Sequence, residues 1–294
     1  MARVNIDQAE GLRRLLARDA LRIVTVASAT SGVGKTSTVI NLAVALARAG
    51  REVLILDGSP RRGNVSDTLG INARFDLLDV INRDRTLEQV LMTGPEGISV
   101  LPAAHGIARL AGLNRDGQDR LIGCFGKLPN PVNVVLVDTA AGNSGKALPV
   151  SLAAQDVMLV LSRTSSSITD NYALIKTMSL QYAKRHFRIL VNKARSEREA
   201  RTLFSNMEQA AKRYLSVSLD YIGFIPPDDK LERATALCTP VVEAFPAAPS
   251  ATGFRRVAAE MMGWSRQADT EESMENFMQR LIQSSRLGAA SIGI

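Results

Sequence analysis

A chain of 294 residues, 46% hydrophobic and 22% charged, is long enough to bury one large hydrophobic core or two small ones and has the composition of an ordinary folded protein. Its net charge of +7 fits an acidic partner (anionic lipid, nucleic acid or nucleotide) or simply a solvated basic surface. Two isolated cysteines, Cys124 and Cys238, and two distant histidines, His105 and His186, exclude a disulfide framework and a thiolate or imidazole metal cluster.

The chain opens with a polar, arginine-bearing stretch, residues 1–20, in which Ala9, Leu12, Leu15 and Leu16 share one helical face and Arg13, Arg14 and Arg18 lie on the other. Such an arm either folds on a partner or lies against its own core. Short apolar, β-branched runs follow at 22–28, 52–57, 97–103, 133–138, 156–162, 187–193 and 221–226. They are dense in Val, Ile and Leu without polar alternation, as in strands buried on both faces. Helix-length stretches lie between them at 36–50, 168–185 and 196–214. Alternation of this kind predicts an α/β fold with a mostly parallel sheet flanked by helices on both faces. One domain is expected over 21–262, between the arm and a C-terminal segment, 263–294. No secretory signal and no bilayer-length apolar run interrupts this order, and a cytoplasmic location is expected.

The strongest chemical signal sits where the first predicted strand meets the first helix, in the run Ala29-Thr30-Ser31-Gly32-Val33-Gly34-Lys35-Thr36-Ser37. Glycines at a strand-to-helix turn let backbone N–H groups close around phosphates, and the helix N-terminus favours their charge. Lys35 is placed to reach the outer phosphates and Thr36 to ligate Mg²⁺, so ATP and Mg²⁺ are the expected ligands. The pattern G-x-x-x-x-G-K-[ST] is met except for Ala29 in place of its first glycine. Asp57 and Asp138 each end a predicted strand, where a carboxylate beside the loop serves the metal or the chemistry. Lys35, Asp57 and Asp138 are the catalytic candidates, and Thr36 and Asp138 the metal candidates.

These residues, with LILDGSPRRGNVSDTLGI (54–71), LPAAHGIARLAGL (101–113), VLVDTAAG (135–142), SSITDNYALIK (166–176), VNK (191–193) and PPDDKLERAT with PVVEAFP (226–246), resemble the MinD/ParA branch of P-loop ATPases, and within it the FlhG (FleN) proteins that control flagellar number and placement. The resemblance runs from about residue 5 to about residue 283. It implies that Ser31, Gly32, Val33, Gly34, Lys35, Thr36 and Ser37 bind the nucleotide, that Asn192 reads the adenine, and that Asp138 is the switch II aspartate. It also implies a face-to-face dimer that cycles between cytosol and membrane.

Three departures bear on turnover. Thr30 stands where the family has a lysine that crosses to the partner's phosphates. The family's second strand ends D-x-D, but here the stretch is Asp57-Gly58-Ser59, without the carboxylate that orients water. Thr164 replaces an acidic residue of a T-P-E segment. Phosphoryl transfer depends on positioned charge and a positioned water, so the resemblance implies ATP binding with hydrolysis weak or lost, and a weakened homodimer.

Both ends carry further expectations. Asp7, Gln8, Leu12 and Arg13 match the D-Q-A-x-x-L-R-x-L signature with which the family stimulates the GTPase FlhF. Contacts with flagellar switch proteins and with a flagellar transcription regulator are further implied. Met274, Phe277, Met278, Leu281 and Ile282 form one apolar stripe, and the resemblance implies that Phe277, Met278, Leu281 and Ile282 touch the membrane surface. The alternative is a helix docked in a groove of its own domain. Two other functions remain open: a ParA-like DNA-associated partitioning ATPase, allowed by the basic pairs Arg61-Arg62, Lys184-Arg185 and Arg255-Arg256, and a binding module in which nucleotide is structural. Few aromatics and no DNA-reading motif make nucleic acid an unexpected partner.

Overall fold

The computed structural model describes residues 21–60, 62–128, 131–140, 148–264 and 272–290. The arm residues Asp7, Gln8, Leu12 and Arg13 lie outside the described residues.

Eight strands form one sheet: β1 (Arg22–Ala27), β2 (Val53–Gly58), β3 (Met92–Thr93), β4 (Ser99–Pro102), β5 (Val134–Thr139), β6 (Asp156–Leu161), β7 (His186–Asn192) and β8 (Ser218–Ile225). Their spatial order is β3-β4-β2-β5-β1-β6-β7-β8, with every pairing parallel except β3 with β4. The expected parallel sheet is therefore present. One detail differs from the sequence reading: β3 is an extra two-residue edge strand; β8 begins at Ser218, in the residues that lead into the run 221–226.

The helices are α1 (Lys35–Arg48), α2 (Val65–Thr68), α3 (Leu77–Asn82), α4 (Leu87–Val90), α5 (Ala104–Arg109), α6 (Arg115–Phe125), α7 (Leu148–Ala153), α8 (Ser165–Tyr182), α9 (Glu197–Tyr214), α10 (Asp229–Ala236), α11 (Val241–Ala244), α12 (Pro249–Gly263) and α13 (Met274–Ala290). They cover both faces because each central strand is apolar on both. Along β5, Val134 and Leu136 pack with α1 and α12, while Val135 and Val137 pack with α7 and α13 on the other side. Alternate residues of a strand point to opposite faces, so this run requires cover on each. A third cluster places α8 and α9 over β6 and β7.

Helix α13 belongs to this cover. Phe277, Met278 and Leu281 are fully buried, and Ile282 nearly so, in a cluster with Leu121 and Phe125 of α6 and Val150 and Ala153 of α7. Of the two arrangements left open by the stripe, the structure has the docked one. The four residues expected at a membrane surface face the protein's own core, because burying that apolar area against α6 and α7 removes it from water. The C-terminal segment is thus an integral layer of the domain over residues 274–290, not an appendage to it.

The end of the sheet away from the phosphate loop is fastened by ions. Asp156 receives Arg22 at 3.1 Å and Arg188 at 2.9 Å, and the Arg188 guanidinium lies 3.8 Å from the ring centroid of Trp264. Arg22 also donates to the Trp264 carbonyl at 2.8 Å.

Candidate functional site

The carboxyl ends of β1, β2 and β5 converge where the strand order turns about β1, the usual place for a ligand in an open α/β sheet. The loop after β1 reaches α1 through two glycines in the left-handed region, Gly32 (φ 73°) and Gly34 (φ 92°). A side chain at position 34 would also run into the Asn192 carboxamide. No side chain caps the N-terminus of α1, so its first N–H groups are directed at the loop's interior. Their partial positive charge suits an anion.

Asp138 anchors the floor. The Thr36 hydroxyl donates to its Oδ2 at 2.7 Å, and its Oδ1 is buried with no partner among the described residues. The Ser37 hydroxyl is likewise buried and unpartnered among them. Buried polar atoms without partners are uncommon and call for an explanation. Here one is an acceptor beside a threonine hydroxyl, and the other lies in the first turn of a helix below a glycine loop. Mg²⁺ and a phosphate chain fit both. No cluster of three or more His, Cys, Asp or Glu able to hold a metal occurs among the described residues. Magnesium, which keeps several waters and shares substrate phosphates, does not need one.

Asp57 is the register partner of Asp138 on β2 and β5. Its carboxylate accepts from the Ser59 N–H at 3.2 Å and the Val65 N–H at 3.1 Å, which folds the loop before α2 around it. Burial, reinforced by the nearby Asp138 charge, lifts Asp57 from 3.8 to about 7. Burial also lifts Asp138 to about 6, against the opposing pull of the Thr36 hydrogen bond and the Lys35 charge. Lys35 itself is 7% exposed. A bound divalent cation would supply the positive charge that lets both aspartates ionise.

Asn192, expected at the adenine, is 2% exposed and tied to the loop: its Nδ2 donates to the Val33 carbonyl at 2.7 Å, and its Oδ1 accepts from the Lys193 N–H at 2.9 Å. It braces the phosphate loop from the end of β7. Sequence reasoning passed over its neighbour: Lys193 Nζ donates to the Gly32 carbonyl at 3.1 Å. The run VNK held the signal for it.

The three departures have structural roles of their own. Thr30 Oγ1 donates to Asp170 Oδ2 at 3.3 Å. Thr164 caps α8, accepting from the Ser167 N–H. Ser59 contributes the backbone N–H that holds Asp57. Two of the basic pairs considered for nucleic acid are tied internally: Lys184 Nζ donates to the Ala154 and Gln155 carbonyls, and Arg255 donates to the Pro246 carbonyl.

Residues 24–241 match the family of CobQ/CobB/MinD/ParA nucleotide binding domains. The chain is 36% identical over 270 residues to the antiactivator FleN of Pseudomonas aeruginosa, covering 92% of this chain and 96% of that protein. It is 25% identical to the flagellum site-determining protein YlxH of Helicobacter pylori over 72% of each chain. Among solved structures, the septum site-determining protein MinD of Pyrococcus horikoshii, complexed with Mg-ADP, superposes with a TM-score of 0.62 at 27% identity, over 82% of this chain and 96% of that one.

Proposed function

The chain belongs to the CobQ/CobB/MinD/ParA nucleotide-binding family and, within it, to the FleN (FlhG) proteins, and from that premise we propose that it is an ATP-binding regulator of flagellar number and placement. The observation that carries the nucleotide part is the Thr36–Asp138 hydrogen bond under the glycine loop, with Asp138 Oδ1 left for a metal shell. The flagellar part is supported by the likeness to FleN and to the flagellum site-determining protein.

In this reading the loop amides and Lys35 hold the phosphates, and Thr36 and Asp138 hold Mg²⁺, directly or through water. The metal supplies charge neutralisation at the outer phosphates. The Asp138 carboxylate accepts a hydrogen bond from the Thr36 hydroxyl, which would leave an oxygen lone pair of that hydroxyl for the metal. Turnover is slow because Thr30 carries no cation and Ser59 no carboxylate. Asp7, Gln8, Leu12 and Arg13 of the arm engage the GTPase FlhF. Contact with the membrane through Phe277, Met278, Leu281 and Ile282 requires α13 to leave its groove first. The protein works at the cytoplasmic face, and its homodimer is weak.

The experiment is a titration of the full chain with ATP and ADP, with and without Mg²⁺, followed by mass measurement and repeated for Lys35→Ala. Mg-dependent binding to the parent and none to the variant is expected; equal affinity in both would remove the basis of the reading. For the arm, residues 1–20 should accelerate FlhF GTP hydrolysis and Gln8→Ala should not. A chain lacking the arm that stimulated FlhF equally well would exclude that assignment.

A further inference from the structure

Two consecutive residues at the end of β7 hold two consecutive carbonyls of the phosphate loop. Asn192 Nδ2 donates to the Val33 carbonyl at 2.7 Å, and Lys193 Nζ donates to the Gly32 carbonyl at 3.1 Å. The chain makes a left-handed turn at this point. Lys193 has a φ of 60°, a conformation uncommon for a residue with a side chain. Its N–H is held there by Asn192 Oδ1 at 2.9 Å. Strain of this kind persists where the surroundings fix it, and it gathers at functional sites. Lys193 is exposed, so core packing does not account for its conformation.

A trans peptide is planar, and its C=O and N–H point in opposite directions. The Gly32 carbonyl shares a peptide with the Val33 N–H, and the Val33 carbonyl shares one with the Gly34 N–H. A bond that draws the Gly32 carbonyl to Lys193 therefore aims the Val33 N–H the opposite way, and Asn192 does the same for the Gly34 N–H. The ammonium group adds to this, because a charge-assisted bond is stronger and polarises the peptide it holds. We propose that Lys193 is a positioning residue that turns the Val33 amide onto the phosphates of a bound nucleotide. The inference rests on the nucleotide-binding reading above and adds to it a cation that acts through the loop backbone. The loop amides cradle the inner phosphates, which ADP and ATP share, while Lys35 reaches the outer ones. Lys193 thus strengthens the two nucleotides equally.

The test is a titration of the full chain with Mg-ADP and Mg-ATP, paired with thermal unfolding in the absence of nucleotide. Lys193→Met keeps a long unbranched side chain but has no donor. It should weaken both nucleotides by the same factor, about tenfold, as for the loss of one hydrogen bond. The melting temperature of the nucleotide-free chain should not change. Lys193→Arg restores a charged donor and should recover most of the affinity. Lys193→Gly relieves the left-handed conformation and should melt no lower than the parent, yet bind as weakly as the methionine variant. Three outcomes overturn the inference while leaving nucleotide binding intact: a methionine or glycine variant with the parent's affinity, a lowered melting temperature without loss of affinity, or a loss confined to Mg-ATP. A parent that binds neither nucleotide overturns the nucleotide reading itself and this inference with it.

Discussion

Asp57 and Asp138 stand side by side at the ends of β2 and β5, both buried, and each carboxyl is held far above its ordinary range, at about 7 and about 6. The native nucleotide-free protein therefore keeps protons that the unfolded chain releases above its ordinary value of 3.8. Unfolding gives up protons in this window, so stability from this pair is fully present below about pH 4 and is lost as pH rises through about 6 to 7. Asp57→Asn removes one of the two titrations. The variant should gain on the parent between pH 5 and pH 8, by on the order of 1–3 kcal/mol, in denaturant unfolding without Mg²⁺. A difference that does not change with pH would show that the two carboxylates do not oppose each other.

Gly34 and Asn192 are a matched pair. Gly34→Ala faces a φ of 92° and the Asn192 carboxamide together. Strain at such a position costs about 1–3 kcal/mol, and nucleotide binding should be lost with it. Asn192→Ala deletes the bonds to the Val33 carbonyl and from the Lys193 N–H without straining the loop backbone and should lower stability by about 1–2 kcal/mol. Thermal unfolding and nucleotide titration of the two variants check the order.

Phe277 is fully buried between α13 and the domain. Phe277→Ala should cost about 3–5 kcal/mol, as for large-to-small changes in a packed core, and should lower the melting temperature of the full chain. A variant that melts with the parent but no longer binds anionic liposomes would mean that the stripe serves lipid and not the core.

Turnover is the fourth prediction. Loss of a preorganised charged group typically costs about 10²–10³ in rate, and two positions that carry such groups in the family are Thr30 and Ser59 here. The parent should release phosphate near background, and Thr30→Lys with Ser59→Asp should raise the rate at least tenfold and favour ATP-dependent dimers. Asp170 lies where a lysine at position 30 would meet it, so adding Asp170→Asn should change the gain. A parent rate already typical of such ATPases would show that other residues perform the chemistry.

Seven of the eight strands were legible because each carries a dense apolar run, and in the central strands, covered on both sides, burial leaves little choice of structure for such a run. β3 was not, since Met92 and Thr93 are two residues whose pairing with β4 is a tertiary event. The sequence put strand residues ahead of Tyr221 without a bound, because Ser218 and Asp220 are polar positions on an edge strand. In the site, Thr36 with Asp138 followed from spacing and strand ends. Thr30 with Asp170 and Asn192 with Val33 did not, because they join residues 140 and 159 positions apart. The stripe of α13 had one periodicity and two possible partners, lipid or core. Periodicity states that a face is apolar, not what covers it.

The strand order also sets a timetable for synthesis. β1 lies at the heart of the sheet, yet Arg22 pairs with Val134, and Val24 with Asp156. Strand β1 must wait for more than a hundred further residues before either neighbour exists. Helix α13 closes the cluster over Val135 and Val137 only after residue 282 has been made. Such long-range pairing folds slowly and leaves apolar strands exposed in the interval. A nascent chain stalled before residue 274 carries an open core and is a natural client for chaperones and proteases, whatever the condition of its phosphate loop.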